Sequence, residues 1–139
     1  MDRYIVDTNI LVQFATELNF TDDVRYLLYY SGAQFYVSSA SVQEFINLLH
    51  CEDVKLQKQK NVTVANVFDF IENILKFTVK YIDKGHLNQL CKMDIVDKHT
   101  DPFDRIIIAQ AIIEQIPLIS SDRKFPKYRE MGLDFIPNY

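Results

Sequence analysis

The chain has 139 residues, of which 48% are hydrophobic and 24% charged, and its formal net charge is −4. This length suits one domain, and the composition is ordinary for a globular protein. The negative charge argues against a broad basic surface that grips nucleic acid, although phosphate can still be bound through metal ions. No apolar stretch approaches the roughly 20 residues that span a bilayer, and the N-terminal segment lacks signal-peptide features, so we expect a cytoplasmic protein.

The first half of the chain alternates short strand candidates with helical patterns. The apolar run at residues 4–6 predicts a strand that ends abruptly at Asp7, and Asp7 or Thr8 can cap a helix that reaches Thr16. Further elements are predicted as a helix from about Thr21, a strand at 35–37, a helix capped within 38–41, a polar loop or exposed helical end at 51–61, and an amphipathic helix at 64–77 with Val67, Phe68, Ile71, Ile74 and Leu75 facing inward.

The second half continues the alternation. Asp101 and Pro102 open a long apolar helix, with proline at a favoured first position. Strands that alternate with helices indicate βα units and a parallel sheet flanked by helices, so we predict one α/β domain. The other predicted elements are strands at 77–82, 117–120 and 133–136 and helices near 84–93 and 124–128.

Two aspartates follow strands that we expect to be central. Asp7 ends the first strand candidate, and Asp122 comes two residues after the buried run at 117–120. Ligands of open α/β sheets bind outside the carboxyl ends of the strands. If these two short apolar strands pair, their terminal aspartates approach each other across one crevice.

Two further acids lie on helices near the same edge. Asp104 lies in the first turn of the long apolar helix, on the same face as Ile107, Ile108 and Ala111. A helix that is apolar nearly all round should be buried, so this carboxylate points inward, where it needs a partner or a metal. Glu44 lies in the first turns of its own helix, which also starts near the carboxyl end of a strand.

Four carboxylates that meet in one place repel one another. Two like charges 4 Å apart repel by about 4 kcal/mol at an effective dielectric constant near 20. Divalent cations relieve this repulsion, and oxygen ligands without a histidine and cysteine set at zinc spacing suit Mg2+ or Mn2+. Such ions suit hydrolysis of a phosphodiester, and the sequence leaves open whether one or two are bound.

Each acid also has a purely structural interpretation. Asp7 and Asp122 can be helix caps, and Glu44 can be a solvated residue on the flank of its helix. Asp101 can cap the apolar helix, with Asp104 reaching back to it as in a capping box. That interpretation suits Asp101 better than Asp104, because the helix offers little solvent-facing surface. The metal-site interpretation therefore depends on all four acids occurring at ends that converge.

Three other residues are candidate contacts for a phosphate-bearing substrate. Arg105 and Arg123 each follow one of the acids and can meet phosphate or pair with carboxylates. His99 lies in a polar segment, where a surface position is the commoner expectation for a histidine.

Four segments resemble PIN domains, a family that includes the VapC-type toxins of bacterial toxin–antitoxin pairs. Residues 4–11, YIVDTNIL, resemble the opening of PIN domains. Residues 99–105, HTDPFDR, followed by IAQA at 108–111, resemble a segment of one bacterial PIN subgroup. Residues 118–125, LISSDRKF, resemble that subgroup's late strand and acid, and residues 39–44, SASVQE, match the region of the family's helical glutamate more weakly.

The resemblance implies a single PIN domain over residues 1–139 with a three-layer α/β/α fold, whose central, mostly parallel sheet is flanked by helices. It also implies cleavage of single-stranded RNA that depends on Mg2+ or Mn2+. The family's acids carry over to Asp7, Glu44, Asp104 and Asp122, and its accessory positions to Thr8, Asp101 and Ser121.

Toxins of this family typically dimerise and are silenced by an antitoxin that lies over the site. The resemblance therefore implies a homodimer and an antitoxin partner over the helices within residues 45–75. Two alternative functions stay open. An acid-site α/β phosphatase is disfavoured because the segment from Asp7 to Asn9 lacks a second aspartate, and a non-catalytic binding module is disfavoured because all four acids are retained.

Overall fold

A computed structural model of the protein describes residues 2–17, 19–51 and 61–139. The polar loop or helical end predicted at 51–61 therefore falls almost wholly outside the described residues. The strands within the described ranges are β1 (Arg3–Val6), β2 (Gln34–Ser38), β3 (Thr78–Lys80), β4 (Leu118–Ser120) and β5 (Phe135–Pro137).

These strands form one sheet in the order β3-β2-β1-β4-β5, and every neighbouring pair is parallel. Strand β1 is central, with Val6 in register with Val37 of β2 and with Ile119 of β4. The predicted parallel sheet is thus confirmed. Because β1 and β4 pair directly, the residues that follow them meet at one edge.

The helices cover both faces of this sheet, and several begin directly after a strand. The α-helices within the described ranges are α1 (Thr8–Thr16), α2 (Asp22–Tyr30), α3 (Ser39–His50), α4 (Lys84–Lys92) and α5 (Pro102–Glu114). Shorter helical segments are two 3-10 helices, Val64–Asn66 and Phe125–Met131, and a π-helix, Asp69–Ile74.

Polar side chains fix where all five of these α-helices begin. A backbone N–H in the first turn of each helix donates to the side chain of the residue before it, which is Asp7, Thr21, Ser38, Asp83 or Asp101. These caps satisfy donors that have no partner inside the helix. Pro102 opens α5 at a position where a missing N–H costs nothing. The caps of α1 and α3 directly follow strands, so both helix N-termini lie at the carboxyl edge of the sheet.

Two hydrophobic cores lie on opposite faces of the sheet. Val6 and Val37 pack in one core with apolar residues of α1, α2 and α3. Ile5 and Leu118 pack in the other, mainly with residues of α5 and of the 3-10 helix at Phe125–Met131. Adjacent strand residues point to opposite faces, so β1, β2, β4 and β5 contribute to both cores, whereas β3 contributes Val79 to the first core. The predicted three-layer α/β/α arrangement is therefore confirmed.

The amphipathic α-helix predicted over residues 64–77 is wrong in type. The segment forms a 3-10 turn and a π-helix, in which the Leu75 N–H donates to the Phe70 carbonyl oxygen five residues earlier. Phe68 and Ile74, predicted to face inward, are exposed, and Phe70 is buried in their place. A turn closed by bonds between residues five apart is wider than an α-helical turn, so α-helical spacing assigns the wrong face.

Two predicted strand boundaries differ from the observed ones by two residues. Strand β3 ends at Lys80 rather than at residue 82, and β5 begins at Phe135 rather than at residue 133. Both are edge strands, which have a neighbour on one side only. No helix in the described ranges is long and apolar enough to cross a membrane.

Candidate active site

A polar cleft of about 340 Å3 opens at the carboxyl edge of the sheet. It lies where β1 and β4 end and where α1, α3 and α5 begin. All four of the acids predicted as metal ligands line it, together with two of the predicted accessory residues. The acids of the cleft are Asp7, Glu44, Asp101, Asp104 and Asp122, and its other residues include Thr8, Asn9 and Lys124.

Asp7 is the most deeply buried of these acids, with 3% of its surface exposed. One carboxylate oxygen accepts from the Thr8 N–H at 2.8 Å, and the other accepts from the Ser120 hydroxyl at 2.8 Å and the Asn9 amide at 3.1 Å. Burial raises the pKa of Asp7 to about 7, and the nearby charges of Asp104 and Glu44 add to this, whereas the Ser120 and Thr8 hydrogen bonds oppose it. A negative charge at this position is therefore held against an electrostatic cost.

Glu44 faces Asp7 from the second turn of α3 and is partly buried. Burial raises its pKa, the Thr8 hydroxyl opposes the shift, and the charges of Asp104 and Asp101 add to it. The same hydroxyl, Thr8 Oγ1, is buried and has no well-formed hydrogen bond to a described residue. A buried polar atom without a partner is unusual, so this oxygen is available to a ligand in this part of the cleft.

Asp104 receives its position from a pair of buried side chains behind it. His99 Nε2 lies 2.8 Å from Asp104 Oδ2, and His99 Nδ1 lies 2.7 Å from the hydroxyl of the fully buried Tyr128. Burial raises the pKa of Asp104, the hydrogen bond from His99 opposes the shift, and the charges of Asp101 and Asp122 add to it. Tyr128 and His99 thus hold one oxygen of Asp104, and within the described residues no hydrogen bond reaches the other oxygen, Oδ1.

Asp122 is held at the end of β4 by its own backbone surroundings. Its N–H donates to the Ser120 hydroxyl at 3.0 Å, and its carboxylate accepts from the Lys124 N–H at 2.8 Å. One ligand atom each of His99, Asp104 and Asp122 lies within 4.8 Å of the others, a spacing that suits a bound metal ion. The carboxylate oxygens of Asp104 and Asp122 are therefore close enough to bind the same cation.

The three accessory residues hold different places. Thr8 lines the cleft. Asp101 also lines it, and its carboxylate accepts from the Asp104 N–H at 3.1 Å as the cap of α5. Ser121 lies behind the cleft, where its N–H donates to the side-chain oxygen of Asn9 at 3.3 Å and its hydroxyl donates to Gln13 at 3.2 Å.

None of the three candidate substrate contacts lines the acidic cleft. His99 is buried, contrary to the surface position that we expected for it. Arg105 is buried too, and its guanidinium donates to the Met93 carbonyl oxygen at 2.7 Å and the Asp94 carbonyl oxygen at 3.2 Å. Arg123 is exposed and stacks 4.1 Å from the centre of the Tyr139 ring. Both arginines therefore have partners outside the cleft. The N–H groups of Arg105 donate to backbone carbonyl oxygens, and the planar guanidinium of Arg123 lies over an aromatic ring.

Sequence reasoning missed four residues of the site. Asn9 and Ser120 bind Asp7, Tyr128 binds His99, and Lys124 lines the cleft. Asn9 and Ser120 stand within two residues of a predicted acid, so their polarity beside an apolar strand was an available signal. Tyr128 gave no such signal, because it is 29 residues from its partner.

Comparison with known proteins gives the same fold. The model of the family described as PIN domain matches residues 4–131. Similar solved structures include VapBC2 from Rickettsia felis bound to a promoter DNA fragment, with a TM-score of 0.72, 16% identity, and 97% of this chain and 98% of that chain covered. VapBC-1 from nontypeable Haemophilus influenzae has a TM-score of 0.67 and 16% identity, with 97% of each chain covered. A toxin–antitoxin complex from Klebsiella pneumoniae has a TM-score of 0.60 and 16% identity, with 98% of each chain covered.

Among curated protein sequences, none matches the chain. At 16% identity the structural similarities show the fold alone, whereas the family model spans nearly the whole chain. The chain belongs to the PIN domain family.

Proposed function

We propose that this protein is an endoribonuclease that cleaves single-stranded RNA with Mg2+ or Mn2+, and that it is the toxin of a toxin–antitoxin pair. Asp7, Glu44, Asp104 and Asp122 are the proposed metal ligands and catalytic residues. The observation that carries the proposal is the convergence of these four acids in one cleft at the carboxyl edge of the sheet. Thr8 and Asp101 are proposed to assist at the cleft, and Ser121 behind it.

The residues of the cleft fit a hard divalent cation. The atoms of the cleft that could bind a metal are carboxylate and hydroxyl oxygens, which suit Mg2+ and Mn2+ better than zinc. Asp7, Glu44 and Asp104 all have raised pKa values, which reflects burial of charge without enough positive charge nearby. The Thr8 hydroxyl, which has no well-formed hydrogen bond within the described residues, is an additional oxygen beside the same cleft. A cation would relieve both deficits.

The protein contributes to catalysis by holding these carboxylates in place. Ser120 and the Thr8 N–H orient Asp7, His99 orients Asp104, and the Lys124 N–H orients Asp122. Each carboxylate is thereby fixed before substrate arrives, which limits reorganisation during the reaction. A divalent ion, when bound, favours deprotonation of water and balances negative charge that develops on the phosphodiester. Burial raises the pKa of Asp7 to about 7 in the metal-free protein, so this carboxyl group can give up its proton near neutral pH when it binds the ion.

The proposed antitoxin would lie over the helices within residues 45–75, of which 52–60 lie outside the described residues. The described part supports a partner here, because Val64, Phe68 and Ile74 are apolar and exposed. The solved structures with this fold include VapBC assemblies and a toxin–antitoxin complex. A homodimer remains a prediction, which light scattering of the purified protein would check.

The test of the proposed function is cleavage of a labelled single-stranded RNA by the wild-type protein and by Asp7→Asn, with Mn2+ present. We expect Asp7→Asn to lose at least about 100-fold in rate, because a neutral amide cannot replace a charged ligand, while its far-ultraviolet circular dichroism is unchanged. Asp134→Asn is the matched control, since Asp134 is an exposed aspartate before β5, at the opposite edge of the sheet.

Two measurements complete the test. Hydrolysis of p-nitrophenyl phosphate compared with that of RNA separates a phosphatase from a ribonuclease. Induced expression in bacteria should arrest growth with the wild-type protein and with Asp134→Asn, but not with Asp7→Asn. Full RNA cleavage by purified Asp7→Asn would refute the proposal.

A further inference from the structure

A second cleft, of about 400 Å3, adjoins the acidic one, and its charged side chains are three lysines and two aspartates. We refer to it as the lysine cleft, because Lys98, Lys124 and Lys127 line it. Asp101 and Lys124 line both clefts, so the two form one continuous surface. The chain has a net charge of −4, yet three lysines line one cleft beside a cleft that contains five acids.

The lysines of this cleft are available to a ligand. Lys98 and Lys124 are exposed, and neither forms an ion pair with a residue of the described ranges. Lys127 pairs with Asp97 at 2.9 Å, but both side chains are substantially exposed, and such pairs contribute little to stability. All three ammonium groups can therefore bind an anion with little loss of existing contacts.

Lys98 lies in a turn whose backbone is left-handed. Asp97 and Lys98 both have positive φ angles, of 49° and 62°, at the turn closed by the bridge between Val96 and His99. Turns with two left-handed central residues favour asparagine or aspartate followed by glycine. Aspartate tolerates this conformation, whereas lysine is strained where glycine would not be. A glycine at position 98 would therefore remove the ammonium group without adding backbone strain.

We propose that the lysine cleft binds the phosphodiester backbone of the RNA strand beside the nucleotide that is cleaved. This inference rests on the proposed function, because it assigns part of the substrate to a surface next to the proposed active site. A polyanion that enters the acidic cleft meets repulsion from its carboxylates, and an adjacent row of ammonium groups offsets that repulsion. Lys124, at the boundary, would contact the phosphate nearest the cleavage site.

The test compares two glycine substitutions, Lys98→Gly and Lys76→Gly. Lys76 is also an exposed lysine with a positive φ, of 60°, but it precedes β3 and so lies at the opposite edge of the sheet. Both substitutions remove one positive charge and relieve the same backbone strain, so neither should lower the melting temperature. Only Lys98→Gly removes a charge from the lysine cleft.

Binding is measured by fluorescence anisotropy with a labelled single-stranded RNA of mixed sequence and Mn2+, in the Asp7→Asn background so that the RNA stays intact. We expect Lys98→Gly to raise the Kd about three- to tenfold, as for the loss of one charged contact. The slope of log Kd against log salt concentration should fall by about 0.7 per lost phosphate contact. Lys127→Gln should act in the same direction and add to Lys98→Gly, whereas Lys76→Gly should change neither quantity.

The outcomes separate this inference from the proposed function. Equal Kd values for Lys98→Gly, Lys76→Gly and the Asp7→Asn parent would overturn the lysine cleft even if the wild-type protein cleaves RNA. Absence of measurable RNA binding by the parent would overturn it as well. A Lys98-dependent Kd in a protein whose wild type cleaves no RNA would keep the binding site and refute the nuclease.

Discussion

The hydrogen bonds behind the carboxylates decide which oxygens face the cleft. His99 lies between Tyr128 and Asp104, with a ring nitrogen within 2.8 Å of each. A neutral imidazole that donates from Nε2 to the carboxylate must accept at Nδ1, and the tyrosine hydroxyl supplies that proton. The three side chains thus form one chain of hydrogen bonds in which Tyr128 sets the direction and His99 sets the rotamer of Asp104.

Removing this chain of hydrogen bonds should weaken metal binding. We expect His99→Leu to lower Mn2+ affinity about 10- to 100-fold, because partners of metal-binding side chains have effects of this size. His99→Gln, which keeps a donor for Asp104, should lose less. Tyr128→Phe should weaken Mn2+ binding in the same direction but by a smaller factor. Calorimetric titration of the purified proteins with Mn2+ measures all three.

A stability effect must be separated from this effect on affinity. Tyr128→Phe leaves a buried nitrogen unpartnered, at a cost of about 1–3 kcal/mol in the free energy of unfolding. Tyr4→Phe is the control for loss of a hydroxyl, since Tyr4 stacks on Phe35 at the opposite end of β1. If Tyr128→Phe and His99→Leu bound Mn2+ as tightly as Tyr4→Phe, the proposed role of His99 would be wrong.

At the scale of secondary structure, the strands and caps next to the acids were predictable because their signals are local. Asp7 ends an apolar run and caps the next helix, and Asp101 followed by Pro102 opens α5 as predicted. The π-helix at Asp69–Ile74 was not predictable, since the apolar spacing of that segment was interpreted with an α-helical period. The burial of His99 and Arg105 was also missed, because their partners lie elsewhere in the chain or on the backbone.

The cap of α5 gives a prediction at this scale. Asp101 accepts from the Asp104 N–H, so its cap and its charge can be separated by two substitutions. Asp101→Ala removes both and should lower the free energy of unfolding by about 1 kcal/mol, whereas Asp101→Asn keeps the cap and should lower it by only a few tenths. Urea unfolding of the metal-free proteins measures the difference.

The two variants should also differ in activity. Because α5 carries Asp104, fraying of its first turn in Asp101→Ala should reduce cleavage more than the loss of charge in Asp101→Asn. Equal stability of the two variants would show that the hydrogen bond between Asp101 and Asp104 does not hold the start of α5.

At the scale of the whole molecule, the fold concentrates negative charge where four segments of the chain meet. Asp7, Glu44 and Asp104 come from different elements. The charges of Glu44 and Asp104 raise the pKa of Asp7, and the charge of Asp104 raises the pKa of Glu44. Folding without a metal therefore shifts these acids toward their protonated forms. This coupling joins the stability of the fold to pH and to cation binding.

Stability of the metal-free protein should therefore fall as pH rises through the range set by Asp7. Its pKa is 3.8 when unperturbed and about 7 in the folded protein, so between these values the folded state binds more protons than the unfolded state. The contribution of Asp7 is fully present below about pH 4 and is lost as pH approaches 7. At about 1.4 kcal/mol per pKa unit, the loss is at most about 4 kcal/mol. Asp7→Asn does not titrate, so its stability should decline less from pH 4.5 to 7.5.

Mn2+ should reverse this loss, because the cation binds the ionised carboxylates that only the folded state brings together. Urea unfolding at pH 4.5 and 7.5, with and without Mn2+, measures both effects in the wild-type protein and in Asp7→Asn. We expect Mn2+ to stabilise the wild-type protein at pH 7.5 and much less at pH 4.5, where protons compete for Asp7. Suppose that the stability of the wild-type protein has the same pH dependence as that of Asp7→Asn and does not respond to Mn2+ at pH 7.5. Ionisation of Asp7 would then not affect stability, and the acids would bind no cation.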